Sequence, residues 1–211
     1  MDTTAHLETE VKFHLPSPGK IKKHIIDLGG RSQGKTFESN IRYDDSQGSL
    51  QAKGCLLRLR KDTAARLTYK KKPAKPVAGV KAYLEYEVVV EDFDTMDAIL
   101  NQIGLRGVQR YEKIRETFLL ANCTVCLDEM PFGSFIEIEG PAKDIARLAG
   151  RLGLAWEKRI LANYLAIFEK LRNQAALAFN DVTFTNFRAC RIDPALVKQT
   201  IESFQSGPGQ F

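Results

Sequence analysis

From His6 to Leu15 polar and apolar residues alternate one by one. His6, Glu8, Glu10, Lys12 and His14 fall on one face, and Leu7, Thr9, Val11, Phe13 and Leu15 on the other. A period of two predicts a strand. The same period returns along the chain. Arg58 and Arg60 share a face with Leu57 and Leu59 opposite, and Arg66, Thr68, Lys70 and Lys72 share a face with Leu67 and Tyr69 opposite. Glu85 and Glu87 stand together, then Tyr111, Lys113, Arg115 and Thr117, then Asp128, then Glu137 and Glu139 against Ile136 and Ile138. Residues 31–45 read as a long extended segment that ends in a turn at Asp44-Asp45-Ser46-Gln47-Gly48.

A period of 3.6 marks the helices. Ile21, Ile25 and Leu28 predict one that stops at Gly29-Gly30. Met96, Ile99, Leu100 and Ile103 predict a second, with Asp94 as its N-cap and Gly104 as its stop. Residues 141–152 and 160–171 predict two more, and the latter carries an apolar stripe that must pack on something. In the tail, residues 181–187 read as one more strand and 194–204 as a short helix. Ser206-Gly207-Pro208-Gly209 reads as a frayed end. The expected organisation is a main unit over 1–172 with a C-terminal extension over 173–211, which packs outside, covers an opening or mediates dimer contacts.

Composition narrows the partners. With 31 Lys and Arg against 26 Asp and Glu, a net charge of +5 suits an anionic ligand of any size. The basic clusters are interleaved with Leu and not with stacking aromatics, which disfavours nucleic acid. No signal peptide or membrane-spanning run is read, so a cytoplasmic protein with free thiols is expected, and no membrane partner. Cys123-x-x-Cys126 resembles half a zinc site. It lacks a second pair, and residues three apart on a strand point to opposite faces. The thiols are therefore read as structural.

The charged faces leave two architectures open. An antiparallel sheet could turn them to water, where they are solvated and inert. A closed sheet could turn them inward, with helices covering the apolar outside. Burial then demands compensation, and acids and bases here are nearly balanced. Acids clustered in E-x-E pairs repel unless a hard cation lies between them, and carboxylates are the ligands that Mg²⁺, Mn²⁺ and Ca²⁺ prefer. Carboxylates around a metal, facing Lys and Arg, suit a polyphosphate.

Glu8-Thr9-Glu10-Val11-Lys12 resembles the E-x-E-x-K signature of the CYTH superfamily, the triphosphate tunnel metalloenzymes. Leu57-Arg58-Leu59-Arg60, Leu67-Thr68-Tyr69-Lys70, Glu85-Tyr86-Glu87, Lys113-Ile114-Arg115, Leu127-Asp128 and Gly133-Ser134-Phe135-Ile136-Glu137-Ile138-Glu139 follow in the family's order, over residues 7–171. The resemblance implies an α+β fold, an eight-stranded antiparallel barrel forming a tunnel with helices packed outside. It implies Mg²⁺ or Mn²⁺ held by Glu8, Glu10, Glu137 and Glu139, with Asp128 assisting. It implies a small-molecule triphosphate held by Lys12, Arg58, Arg60, Lys70, Lys113 and Arg115, with Glu85, Glu87 and Lys12 in catalysis. A homodimer is among its expectations. Where some members have Ser-Tyr in the last helix, this chain has Asn163-Tyr164, and that helix is assigned no catalytic role. The leading expectation is metal-dependent hydrolysis of tripolyphosphate, or of a nucleoside or thiamine triphosphate, at the terminal phosphate. The alternatives are a class IV adenylate cyclase, which makes cyclic AMP and pyrophosphate, and a non-catalytic polyphosphate or nucleotide binder.

Overall fold

Strands with charge on one face and hydrocarbon on the other are satisfied together if the sheet closes with its charges inside. The computed structural model of the protein, which describes residues 6–205, has this form. Eight antiparallel strands close in the order β1-β5-β4-β3-β2-β6-β7-β8. They are β1 (His6–His14), β2 (Arg31–Asp44), β3 (Leu56–Lys61), β4 (Ala65–Lys71), β5 (Lys81–Val90), β6 (Arg106–Leu120), β7 (Cys123–Met130) and β8 (Gly133–Glu139). The sheet closes where β8 pairs back on β1, with Glu10 opposite Glu139 and Lys12 opposite Glu137. With no free edge, each inward side chain faces the lumen, and the period of two fixes which residues those are.

Helices cover most of the outside. Helices α1 (Pro18–Asp27) and α4 (Ala142–Arg151) bury Ile25, Ile145 and Leu148 among Val11, Phe13, Phe118, Val125, Ile136 and Ile138. Helix α2 (Ser49–Ala52) is one short turn after β2, and α3 (Phe93–Gln102) covers Ile41, Tyr43 and Leu59 with Leu100. The outer face of β5 stays bare, with Tyr86 39% and Val88 56% exposed. Helix α5 (Tyr164–Gln174) lies against one end of the barrel. There Tyr164, Leu165, Ile167, Phe168 and Leu171 pack with Tyr111, Met130, Phe132 and Phe135. The segment after α5 packs on the same cluster through α6 (Phe184–Arg188) and α7 (Pro194–Glu202). Phe179 stacks on Phe168, and Thr200 donates to the side chain of Gln174 at 2.6 Å.

Three local expectations are corrected. Asp92 caps α3, not Asp94: its carboxylate accepts from the Thr95 amide at 2.6 Å, while Asp94 stands in the first turn. The helix expected from residue 160 starts at Tyr164, where Asn163 accepts from the Ala166 amide at 2.7 Å. Ile160 is used instead as a strand-like bridge, giving its amide to the Lys12 carbonyl at 2.7 Å and pairing also with Gln205. The strand expected over 181–187 is mostly helix. Val182 makes a single parallel bridge to Tyr111, and Thr183 then caps α6 through the Asn186 amide at 3.2 Å. At α5 and α6 a side-chain cap overrode an apolar pattern. The stretch from Ser206 to Gly209 lies outside the described residues.

Candidate active site in the barrel lumen

The lumen is a cavity of about 780 Å³ lined almost wholly by charged and polar side chains. Strand pairing sorts them into levels. Lys12 on β1 faces Glu137 on β8, and one level on, Glu10 faces Glu139. On its other side Glu10 faces Lys81 of β5, while His6 of β1 faces Glu85 and Lys70 of β4 faces Glu85. Across the lumen Arg58 and Arg60 of β3 stand beside Arg42 and Asn40 of β2, and Lys113 stands beside Glu38.

The level nearest α5 is fully paired. Asp128 accepts two hydrogen bonds from Arg115 at 2.6 and 2.7 Å, one from Lys113 at 3.0 Å and one from the Tyr164 hydroxyl at 2.8 Å. Glu137 is held by Lys12 at 2.5 Å and by Arg115. Burial alone would push the Glu137 carboxyl up, but Lys12, Arg115 and Lys113 outweigh it and hold it well below the usual carboxylate range. The Tyr164 ring lies under Lys12, 4.1 Å from its ammonium, and burial beside Asp128 pushes the phenol well above its usual range. This side chain forms the floor of the cavity.

The next level is acidic. Glu8, Glu10 and Glu139 each bring a carboxylate oxygen to within 4.8 Å of the others. Lys70 is ion-paired to Glu8, and to Glu85 at 2.9 Å, and Lys81 pairs with Glu10 at 2.6 Å. Among the described residues Glu139 has only Arg115 as an ion-pair partner, at 3.9 Å. Burial, with Glu137, Glu10 and Glu8 close by, raises the Glu139 carboxyl to about 7. Burial also raises Glu8, whereas for Glu10 burial is outweighed by Lys81 and Lys12 and the net shift is downward. Three hard oxygen donors converging on one point, one of them short of positive charge, suit a divalent cation such as Mg²⁺ or Mn²⁺. Of the carboxylates expected around a metal, Glu8, Glu10 and Glu139 converge, while Glu137 and Asp128 are engaged by the basic groups of the floor.

The remaining wall is basic. Arg58 reaches Thr68 at 3.2 Å and the Tyr111 hydroxyl at 3.5 Å, and Arg60 reaches Glu87 at 3.5 Å. Glu87 also accepts from Thr68 at 2.8 Å. Among the described residues the buried Nε atoms of Arg42 and Arg58 have no hydrogen-bond partner, so donors are left over for an anion in the lumen, whereas Arg60 Nε lies 3.2 Å from the Asp62 carboxylate. All the residues expected on the substrate side, Lys12, Arg58, Arg60, Lys70, Lys113 and Arg115, line this one cavity.

Sequence reasoning passed over Lys81, Glu38 and Arg42, and assigned Tyr164 no catalytic role. Glu38 is buried on β2 against Lys113 at 3.5 Å and Arg115 at 3.8 Å, which holds it below its usual range in spite of burial. Its signal was the alternation of Glu38, Asn40 and Arg42 with Phe37, Ile41 and Tyr43, broken at Ser39 and preceded by the polar run 31–36. The two cysteines read as structural are free. Cys123 is buried in the outer core, and Cys126 is buried within reach of Thr117, its thiol raised by burial to about 12. Among the described residues no helix is long and apolar enough to cross a membrane.

The sequence profile of the CYTH domain matches residues 6–159. A protein of Methanocaldococcus jannaschii named "Putative adenylate cyclase" is 26% identical over 141 residues, 66% of this chain and 79% of that protein. A structure from Vibrio parahaemolyticus, also described as a "putative adenylate cyclase", superposes with a TM-score of 0.69 at 20% identity, covering 78% of this chain and 99% of that one. A Hippeastrum protein, described as a "putative adenylyl cyclase" that reveals a dominant triphosphatase activity, superposes with a TM-score of 0.57 at 19% identity, covering 77% of this chain and 95% of that one.

Proposed function

Since this chain belongs to the CYTH domain family, we propose that it is a divalent-metal-dependent enzyme that hydrolyses a triphosphate at its terminal phosphate. The substrate class is tripolyphosphate or a nucleoside or thiamine triphosphate. The observation that carries this reading is the juxtaposition, in one closed lumen, of three converging carboxylates and a facing wall of guanidinium groups with unpaired donors. Glu8, Glu10 and Glu139 would hold Mg²⁺ or Mn²⁺. When bound, that ion supplies charge neutralisation and polarisation at phosphoryl oxygens.

The protein's own groups do the rest. Arg58 and Arg60 offer planar donors to non-bridging oxygens and Lys70 adds an ammonium group, while Lys12 and Lys113, already paired with Glu137 and Asp128, contribute positive field from the floor. Arg115 already serves Asp128 and Glu137, so it acts as a fixed positive charge on the floor. Glu85 and Glu87 would orient the attacking water. Glu87, with its side chain 32% exposed, is the one of the two that solvent reaches more readily. Burial of the phosphates among fixed charges of opposite sign stabilises the charge that develops on the leaving group, because these charges need no reorganisation.

A second reading is favoured by the named relative: attack of a ribose 3′-hydroxyl on the α-phosphorus of ATP, releasing pyrophosphate. The fold is compatible with either outcome, since the Hippeastrum barrel is described with a dominant triphosphatase activity. Product analysis decides. The purified protein is incubated with Mg²⁺ or Mn²⁺ and, separately, tripolyphosphate, ATP and thiamine triphosphate. Orthophosphate without cyclic nucleotide is the expected result. Cyclic AMP with pyrophosphate would establish the cyclase, and metal-dependent binding without turnover would establish a binder.

A further inference from the structure

Lys81 stands at the start of β5 directly opposite Glu10, the central carboxylate of the acidic level. Its ammonium lies 2.6 Å from Glu10, with the side chain only 17% exposed. It also lies 5.0 Å from the centre of the Tyr83 ring, which belongs to the same inward face of β5 and lines the same cavity. Glu10 and Glu139 are cross-strand partners of like charge, an arrangement that repels unless a cation intervenes. In this structure the intervening charge at Glu10 is Lys81. Lys70 does the same for Glu8, but it is also tied to Glu85, whereas Lys81 has Glu10 as its sole ion-pair partner among the described residues.

We propose that Lys81 is an exchangeable counter-ion of the metal site: it neutralises Glu10 when the site is empty, gives Glu10 up when a divalent cation arrives, and then serves a phosphate oxygen of the substrate. The inference rests on the assignment of Glu8, Glu10 and Glu139 as metal ligands. Two positive groups cannot share one carboxylate at close range without repulsion in a lumen shielded from water. Lysine is suited to leaving, because its charge sits on a four-carbon stem with freely turning donors. The Tyr83 ring provides the alternative resting place, since its face attracts an ammonium and keeps it in the lumen. The exchange couples the ligands. Metal binding frees a cation for the triphosphate, and the triphosphate takes up the ammonium that competes with the metal, so each ligand favours the other.

The test is Mn²⁺ binding to the substrate-free protein, read from the electron paramagnetic resonance of free Mn²⁺. Lys81→Gln keeps a hydrogen-bond donor for Glu10 and removes the competing charge. Its Mn²⁺ affinity is expected to rise roughly five- to tenfold, while KM for tripolyphosphate rises by a similar factor. Lys81→Arg keeps the charge and is expected to stay within about twofold of the native Mn²⁺ affinity. A non-hydrolysable imidotriphosphate should tighten Mn²⁺ binding in the native protein and do so much less in Lys81→Gln. Unchanged or weaker Mn²⁺ binding in Lys81→Gln overturns the exchange. If Lys81→Gln does not fold, the native protein still answers: the Lys81 Cε resonance must shift on addition of Mg²⁺ alone, and a resonance that does not move overturns the proposal. Failure of the metal assignment itself is separately visible, because Glu10→Gln would then bind Mn²⁺ as the native protein does.

Discussion

Glu137 and Glu139 are two residues apart on one strand, point into one lumen and have opposite fates. Glu137 lies across from a lysine and is clasped by Arg115 as well; it stays charged far below neutral pH. Glu139 lies across from another glutamate, and its carboxyl is raised to about 7. The two represent two regions. The floor, with Asp128, Glu137, Lys12, Lys113, Arg115 and Tyr164, is a closed charge network that holds the barrel to α5. The acidic level above it is short of positive charge and is completed by lysines on flexible stems. Full compensation makes a region structural, and incomplete compensation leaves it free to bind. An E-x-E pair is therefore not one electrostatic unit: within the β8 pair, Glu137 is compensated as part of the frame and Glu139 is left to the proposed metal site.

The largest expected effect is at the floor. Asp128→Ala leaves Lys113, Arg115 and the Tyr164 hydroxyl buried without their shared acceptor. It should lower unfolding free energy by about 3–5 kcal/mol in urea titrations. A loss below about 1 kcal/mol would show that the floor is not a structural network.

Next comes Glu10→Gln. It should cut metal-dependent turnover at least ~100-fold and abolish tight Mn²⁺ binding, with stability changed far less than by Asp128→Ala. If both variants lose stability equally, the division between frame and binding level fails. Full activity in Glu10→Gln would remove Glu10 from the metal site.

The contrast inside β8 also predicts a pH dependence. Glu139 has its carboxyl raised from 4.5 to about 7 in the folded chain. Between those values the folded state keeps a proton that the unfolded state has lost. The stability from this group is therefore complete below about pH 4.5, falls as pH rises, and is gone above about 7. His14, lowered by burial, acts in the opposite sense near the same range, so the measured quantity is the difference between native protein and Glu139→Gln. The native protein should therefore lose stability relative to Glu139→Gln from pH 5 to 8, the gap opening as pH rises, and metal affinity of the native protein should climb over the same interval as Glu139 ionises. A pH-independent difference would mean that Glu139 is charged throughout, like Glu137.

The alternation of charge with hydrocarbon marked most of the strands but allowed both an open and a closed sheet, and closure was implied only by the resemblance to the CYTH superfamily. Given that closure, Arg58, Lys113 and Glu139 could be placed in one lumen from their phase. Their partners could not. Whether Glu137 meets Lys12 or Glu10 is set by the β1–β8 register, which depends on turns and bulges far from either residue. Lys81 was missed because the alternating run of β5 was started at Tyr83, although Lys81 is in phase with it. Tyr164 was set beside the Ser-Tyr pair of some family members and given no catalytic role, since its hydroxyl gains meaning from Asp128, distant in sequence. Caps from Asn163 and Thr183 escaped notice because apolar periodicity ran through them.

The smallest effect is at that hydroxyl. Tyr164→Phe keeps the ring under Lys12 and removes one of four hydrogen bonds to Asp128. The carboxylate retains Lys113 and Arg115, so nothing buried is left without a partner. The loss should be about 1 kcal/mol in urea unfolding, and turnover should fall no more than a few-fold. Tyr164→Leu also removes the ring face beneath the Lys12 ammonium and part of the packing on Phe135, and should cost about 2–3 kcal/mol. If Tyr164→Phe instead abolishes turnover while leaving stability intact, the hydroxyl acts on substrate. The floor would then belong to the chemistry, and the line between the two regions would have to be drawn below Asp128.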